Sequence, residues 1–323
     1  MSDLFADLVG QGQARLLLGA ALRQQRLAPA YLLAGPDGVG RRLTALRFLE
    51  GVLAGPAGSL LQRRRLAEGN HPDLLWVEPT YLDKGELVPR SQAVERGLSR
   101  RSPPQLRLEQ IREVSRFLAR RPVESPGCLV VLESAEAMAE GAANALLKTL
   151  EEPGQGLLLL ISAAPQQLLS TIRSRCQLVP FTRLEPAELA RVLARVDAVA
   201  DAAADPPELL ELAAGSPGAL LEHRRQWQSL PEGLAERLQS LPAGDPLAAL
   251  SLARDLSEAL DGEQQLWLLA WWQLWLWRRL MRPEPLRRLE ILRQQLLAYV
   301  QPRLAWEVAL LDLAALPAFD QLA

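Results

Sequence analysis

Four residues, Tyr31-Leu32-Leu33-Ala34, run without a polar break into Gly35-Pro36-Asp37-Gly38-Val39-Gly40-Arg41-Arg42, and a helix-periodic stretch follows. An apolar run with no alternation reads as a strand buried on both faces, which is the condition of strands in a helix-covered parallel sheet. A strand delivered through a glycine turn into a helix therefore points to an α/β core. The neighbouring sequence agrees: further strands are expected at Leu74–Glu78, Leu129–Leu132, Leu157–Ser162 and Gln177–Pro180, with helices at Arg107–Ala119 and Ala137–Leu150 laid over them.

After Phe181 the strand signals stop. Pro186–Arg195 and Pro207–Ala214 read as short helices, and longer helices follow, with breaks expected at Pro231, Pro242, Pro246, Asp261-Gly262, Pro283, Pro285 and Pro302. The chain has 323 residues, too many for one ordinary core. Three domains are expected: an α/β core over 1–181, a small helical domain over 182–229 and an all-helical domain over 230–323. Leu82–Pro104 carries Gly, Pro, Ser and scattered charge, and reads as a long surface loop. The tryptophans Trp267, Trp271, Trp272, Trp275 and Trp277 recur at helical steps and are expected to fill a bundle core rather than to form an exposed partner site.

Composition narrows the function. With 49% hydrophobic residues and a formal net charge of −2, neither disorder nor a strongly basic nucleic-acid binder is indicated. The start of the chain has no positive stretch leading into an apolar one, so no secretory signal is read and a cytoplasmic location without membrane attachment is expected. The most apolar segment, Leu266–Trp277, falls short of the ~20 residues that span a bilayer. Cys128 and Cys176 are too few for a disulfide framework or a four-cysteine zinc site, and no metal is expected.

The turn after the first strand has the spacing of a P-loop, in which Gly35, Gly38 and Gly40 would let backbone N–H groups wrap phosphate oxygens at a helix N-terminus. The two positions that carry the chemistry are altered. A working loop ends in Lys, which reaches the β/γ-phosphates, then Ser or Thr, whose hydroxyl ligates Mg²⁺. Here they hold Arg41 and Arg42, the second a cation where a neutral metal ligand belongs. Two readings stay open, a strand-to-helix turn that has lost its ligand and a weak nucleotide site. In either case the loop's own hydrolysis is expected to fail. The strand Leu129–Leu132 asks the same question, since it is followed by Glu133-Ser134 where an acidic pair would hold Mg²⁺ and orient water. Ser134 is expected instead to cap the helix that follows.

Two segments carry a family resemblance. Ala142-Ala143-Asn144-Ala145-Leu146-Leu147-Lys148-Thr149-Leu150-Glu151-Glu152-Pro153 resembles the helix after the acidic strand in bacterial DNA polymerase III clamp-loader subunits, and Ser170-Thr171-Ile172-Arg173-Ser174-Arg175-Cys176 contains their Ser-Arg-Cys motif. The likeness runs in order from Gly10 to about Gly218, and the altered P-loop resembles the delta-prime type rather than the ATP-hydrolysing type. The resemblance implies an AAA+ core, a helical lid and a C-terminal collar that holds a ring of loader subunits. It implies that Arg175, flanked by Ser174 and Cys176, acts as an arginine finger on ATP-Mg bound by a neighbour, while this chain's own site holds ATP weakly or not at all. The partners implied are the gamma/tau and delta subunits, with the sliding clamp and primer-template DNA reached through the complex. Gly215-Ser216-Pro217-Gly218 resembles the family's sensor-2 helix start without its arginine, and the stretch before His71-Pro72-Asp73 lacks the zinc cysteines of many relatives, so His71 is expected in a turn. The rival readings are an ATP-hydrolysing, gamma/tau-like motor subunit, disfavoured by Arg41, Arg42 and Ser134, and a nucleic-acid module built on Arg63-Arg64-Arg65 or Arg100-Arg101, disfavoured because short charge runs are usually solvated.

Overall fold

A computed structural model describes residues 4–83, 85–93, 95–96, 103–152, 154–196, 205–241, 245–298 and 300–315. They form two compact units, the first holding the described residues up to 196 together with 215–218, the second holding 205–214 and 219–315. Among the described residues no helix is long and apolar enough to cross a membrane.

The first unit runs α1 (Gly12–Arg23), β1 (Ala30–Ala34), α2 (Arg41–Ala54), α3 (Leu60–Ala67), β2 (Leu74–Val77), β3 (Thr80–Asp83), β4 (Glu86–Pro89), α4 (Leu108–Leu118), β5 (Leu129–Leu132), α5 (Glu140–Glu151), β6 (Leu157–Ser162), α6 (Ser170–Arg173), β7 (Gln177–Pro180) and α7 (Pro186–Val196). Five strands make a parallel sheet in the order β2-β5-β6-β1-β7. β1, β5 and β6 are buried at every residue, as continuous apolar runs require in a sheet covered on both faces.

Alternate residues of one strand serve opposite layers. Tyr31 and Leu33 join Leu18, Phe48 and Leu49 from α1 and α2, together with Leu129, Val131, Leu159 and Ile161, and the Tyr31 and Phe48 rings meet edge to face at 5.0 Å. Ala30 and Leu32 join Ile111, Val114, Leu146 and Ile172 from α4, α5 and α6 on the other face. All five strands expected from the sequence are present.

The segment read as a loop over Leu82–Pro104 is a correction. β3 and β4 form an antiparallel hairpin, Asp83 pairing with Glu86 beside a glycine, Gly85, at φ +90°. A 3₁₀ turn at Arg90–Gln92 follows, and Thr80 and Gln105 bond each other's backbones at 2.9 and 3.0 Å. The hairpin follows the period of a half-buried strand: Tyr81 and Val88 are buried, whereas Leu82 and Leu87 face outward. Residues 97–102, which include Arg100 and Arg101, lie outside the described residues.

The His71-Pro72-Asp73 turn fixes the approach to the sheet. His71 Nδ1 accepts from the Asp73 N–H at 3.2 Å, and burial lowers the imidazole's pKa, which keeps that nitrogen an acceptor. Asp73 is fully buried and accepts from the backbone of Val123, Glu124 and Ser125 at 2.7, 2.7 and 2.9 Å and from Ser125 Oγ at 3.0 Å. Burial alone would raise its pKa, but these four donors outweigh it and hold the carboxyl down at about 2. The Asp73 carbonyl then accepts from Leu129 N–H at 2.8 Å, so the turn sets where β5 begins.

The second unit is helical: α8 (Pro207–Ala213), α9 (Pro217–Gln228, from residue 219 onward), α10 (Leu234–Ser240), α11 (Pro246–Ala259), α12 (Gly262–Leu280), α13 (Pro283–Leu297) and α14 (Pro302–Ala314). Of the small helical domain expected over 182–229, α7 lies in the first unit, and α8 and most of α9 in the second. Pro285 does not break a helix; it sits in the first turn of α13, where proline's missing N–H has no helical partner to lose. Trp271 and Trp272 are fully buried, Trp275 nearly so, and Trp277 is the exposed end of the stripe. Trp267 Nε1 donates to His223 Nδ1 at 3.0 Å, and Trp306 Nε1 to Gln265 Oε1 at 2.9 Å.

Asp73→Asn is expected to cost about 1–3 kcal/mol, because the amide offers one acceptor oxygen and a donating NH2 where the carboxylate's two oxygens receive four donors. The carboxyl's folded pKa lies below its unfolded value, so its contribution is present above about pH 4 and is lost as pH falls toward about 2. The variant should therefore lose stability at neutral pH and show a flatter acid limb over that window, measured by denaturant titrations at stepped pH.

Candidate functional site

The loop between β1 and α2 keeps the backbone of a phosphate-binding turn. Gly35 has φ +154°, and a Cβ built on it would fall 2.3 Å from the Phe181 carbonyl oxygen. Gly38 and Gly40, at φ +73° and +100°, carry the chain into α2, where Thr44 Oγ1 donates to the Gly40 carbonyl at 2.9 Å. Only residues without a side chain adopt this path cheaply.

The loop's own side chains engage one another. Arg41 has 6% of its side chain exposed, its Nη2 donates to Asp37 Oδ1, and its Nη1 is buried without a hydrogen-bond partner. Arg42 reaches across to the end of β5, where Nη1 lies 3.2 Å from Glu133 Oε2 and the guanidinium stands 4.7 Å over the Trp76 ring. Trp76, on the adjacent strand β2, donates its indole N–H to the same Glu133 oxygen at 2.8 Å. A divalent cation at this place would need a hydroxyl from residue 42 and a free carboxylate from residue 133. It would find a guanidinium in the first position and an ion-paired carboxylate in the second, so the donor set does not fit Mg²⁺.

A third set of contacts packs onto the loop. Ser216 Oγ donates to the Asp37 carbonyl at 2.6 Å, and Gly218 N–H to the Gly38 carbonyl at 3.0 Å. The approach is so close that a Cβ on Gly218 would fall 2.6 Å from Gly38 Cα. Gln11, buried and itself at φ +53°, donates to the carbonyls of Thr182 and Val39 at 2.7 and 3.4 Å and accepts from Thr182 N–H at 3.0 Å.

Ser134 does not cap the following helix as expected. It adopts a left-handed conformation, φ +50°, ahead of a 3₁₀ turn at Ala135–Ala137, and its side chain makes no capping bond; α5 starts later, after Ala139. The acid that contacts the neighbouring strand end is Glu136, whose Oε1 accepts from Ala163 N–H at 3.0 Å.

Arg175 stands apart from these groups. It follows the single turn of α6 and is 37% exposed at the side chain. Its Nη2 donates to Glu151 Oε1 at 2.8 Å and its Nη1 to the Thr171 carbonyl at 3.1 Å. Ser174 Oγ donates to that same carbonyl at 3.1 Å, which locks the turn beneath the arginine. Burial pushes the Cys176 thiol up to about 11, so it stays protonated and is no nucleophile at neutral pH. Arg173, Ser170 and Ser174 line a hollow of about 510 Å³ with Leu32, Gly35 and Leu178.

Sequence reading thus names Arg41, Arg42, Glu133, Arg175 and the Gly215–Gly218 segment that carries Ser216, but misses Trp76 and Gln11 and gives Glu151 no role of its own. The advance signal for Glu151 is its place at the head of the Glu-Glu-Pro segment. The triple-arginine run is neutralised residue by residue: Arg63 pairs with Glu50, Arg64 with Glu68 and Arg65 with Glu124 at 2.8, 2.7 and 2.7 Å.

Strand order, glycine loop and packed helix start together define a P-loop module of the AAA+ type whose phosphate end is engaged by its own arginines. The chain belongs to the DNA polymerase III delta subunit family, whose model matches residues 10–185; the model for the cyanobacterial DNA polymerase III delta prime C-terminal domain matches residues 187–313. It is 35% identical to DNA polymerase III subunit delta' of Pseudomonas aeruginosa over 68% of this chain and 65% of that one. It is also 35% identical to the Bacillus subtilis subunit delta' over 54% of this chain and 49% of that one, so it spans about half to just under two thirds of these relatives' length. A DNA polymerase III gamma subunit-related protein of Thermotoga maritima shares the fold, with a TM-score of 0.50 at 16% identity over 92% of this chain and 98% of the other.

Alanine in place of a helical glycine ordinarily stabilises by about 0.5–1 kcal/mol. At Gly218 the sign should reverse, with a cost of about 1–3 kcal/mol from overpacking against Gly38. Amide exchange through 35–40 and 215–218 should quicken in Gly218→Ala; stronger protection would show that the contact gives way easily.

Proposed function

We propose that this chain is the delta-prime-type subunit of a DNA polymerase III clamp loader, a non-motor member of the ring. In this reading it assembles with gamma/tau and delta subunits and acts on sliding clamp and primer-template DNA only through the complex. The observation that carries it is that the chain's own phosphate and metal positions are taken. Arg41 pairs with Asp37 and Arg42 with Glu133, and the arginine of the most specific motif, Arg175, lies on a separate turn, partly exposed and paired with Glu151.

A P-loop whose lysine position is a buried, internally paired arginine, and whose metal-ligand position is a cation, has no means of drawing Mg²⁺ onto β- and γ-phosphates. Gly218 and Ser216 fill space beside the loop from the other side. ATP is accordingly weak or absent in this chain's own site, and the nucleotide that matters is the ATP-Mg held by a neighbour. Arg175 meets the needs of a group that works there. It is exposed, it comes from a locked turn, and a planar guanidinium spreads positive charge over phosphate oxygens better than an ammonium does. Ser174 fixes the turn and Cys176 fills the core beneath it, so neither takes part in the chemistry.

The isolated chain is expected to show negligible steady-state ATP hydrolysis. Robust turnover that vanished on Arg41→Ala would instead establish a motor subunit of the gamma/tau kind. In a reconstituted loader, Arg175→Ala should leave assembly and the subunit's own stability nearly unchanged while turnover at the served site falls by up to about 10³–10⁵, with clamp loading lost alongside. Arg175→Lys should restore little. Unaltered DNA-stimulated turnover and clamp loading would reduce Arg175 to a helix-end cation and leave the subunit purely structural.

A further inference from the structure

Glu151 is the last residue of α5, a place where the helix macrodipole disfavours an acid. Lys148 lies one turn back on the same helix, and the Glu151 Oε1 accepts from Arg175 Nη2 at 2.8 Å. The second contact, Arg175 Nη1 to the Thr171 carbonyl at 3.1 Å, comes from a different element, so the guanidinium plane is held at two points by two parts of the chain. An arginine has five N–H donors in a fixed fork. These two contacts use one N–H on each terminal nitrogen and leave Nε–H and the second N–H of each terminal nitrogen without a partner among the described residues.

We infer that Glu151 is a positioning residue for the arginine finger: it aims the Arg175 guanidinium and stays bound while the remaining N–H groups meet the γ-phosphate of a neighbour's nucleotide. The inference rests on the proposed role of Arg175. Without Glu151 the long side chain samples many rotamers, and fixing it at each turnover adds to the barrier. The pair is exposed on both sides, 37% for Arg175 and 53% for Glu151, so it contributes little to folding and does not hold the arginine back from a triphosphate. Release is unnecessary, because the three free donors suffice for phosphate contact. Glu151 therefore assists the finger and does not restrain it.

The test compares reconstituted loaders carrying Glu151→Ala, Glu151→Gln, Glu151→Asp, Arg175→Ala and the double variant Glu151→Ala/Arg175→Ala. Glu151→Ala should lower kcat for DNA-stimulated ATP hydrolysis by about tenfold to a hundredfold with KM for ATP unchanged. Glu151→Gln, which keeps an acceptor oxygen without the charge, and Glu151→Asp, which keeps the charge on a shorter stem, should each recover part of the loss. In the Arg175→Ala background, loss of Glu151 should have no further effect. A kcat that is unchanged or raised in Glu151→Ala while Arg175→Ala lowers it overturns this inference and leaves the finger in place. An equal drop from Glu151→Ala in both backgrounds overturns it too, since that marks a purely structural role. If Arg175→Ala itself changes nothing, the finger and its positioning residue fail together.

Discussion

The segments that carry Arg41, Arg42 and Arg175 in the first unit are tied together at the C-terminal end of β1. There Gly35 N–H donates to the Ser162 carbonyl at 3.1 Å and the Ala34 carbonyl accepts from Phe181 N–H at 2.7 Å, so three parallel strand ends are tied at one point. The tie requires glycine, since Phe181 passes where any Cβ at position 35 would lie. Three segments leave this point: the glycine loop, the stretch after β6 that reaches α6 and Arg175, and the stretch after β7 that Gln11 holds to the loop through Thr182 and Val39. A parallel sheet places its loops at the carboxyl ends of its strands, and this junction gathers them there.

Charge is handled in two ways on this scaffold. Glu50, fully buried, accepts from the Ser59 N–H at 2.9 Å and from Arg63 Nε at 2.8 Å, so the cost of removing the carboxylate from water is offset by directed donors. Asp73 is treated similarly by a backbone turn. At the surface, pairs such as Arg64 with Glu68 are solvated on both sides and decide little about stability. The P-loop arginines combine the two conditions, one buried and one exposed, and both are committed to partners within the chain.

How much of this the sequence discloses depends on whether a residue's role is local. The five strands are legible because each is a short run that must be apolar to lie in a covered sheet, and the breaks expected at Pro246 and Asp261-Gly262 are helix starts where Asp245 and Asp261 cap their own helices. The β3–β4 hairpin is obscured because Leu82 and Leu87 face outward and the turn glycine reads equally well as loop. The altered P-loop is visible as Arg41-Arg42, but its consequence is not, since Glu133 stands 91 residues from Arg42 and Trp76 lies on a different strand. Glu151 and Arg175 are 24 residues apart and meet only because α5 and α6 pack together. Ser216 belongs to a segment 179 residues from the Asp37 carbonyl it bonds.

The Arg42–Glu133–Trp76 cluster has a consequence for the lineage of such a chain. A hydroxyl at position 42 alone would strip Glu133 of its cation, and lysine at position 41 alone would set a shorter, differently shaped cation in the buried place of Arg41, across from the exposed Asp37. Groups in direct contact do not change independently, so each ancestral-looking step is opposed by the contacts the others have made. A motor-type loop is therefore not reached one residue at a time from this arrangement: Arg41 and Arg42 each hold a structural contact, and several coordinated changes are needed before any one of them is useful.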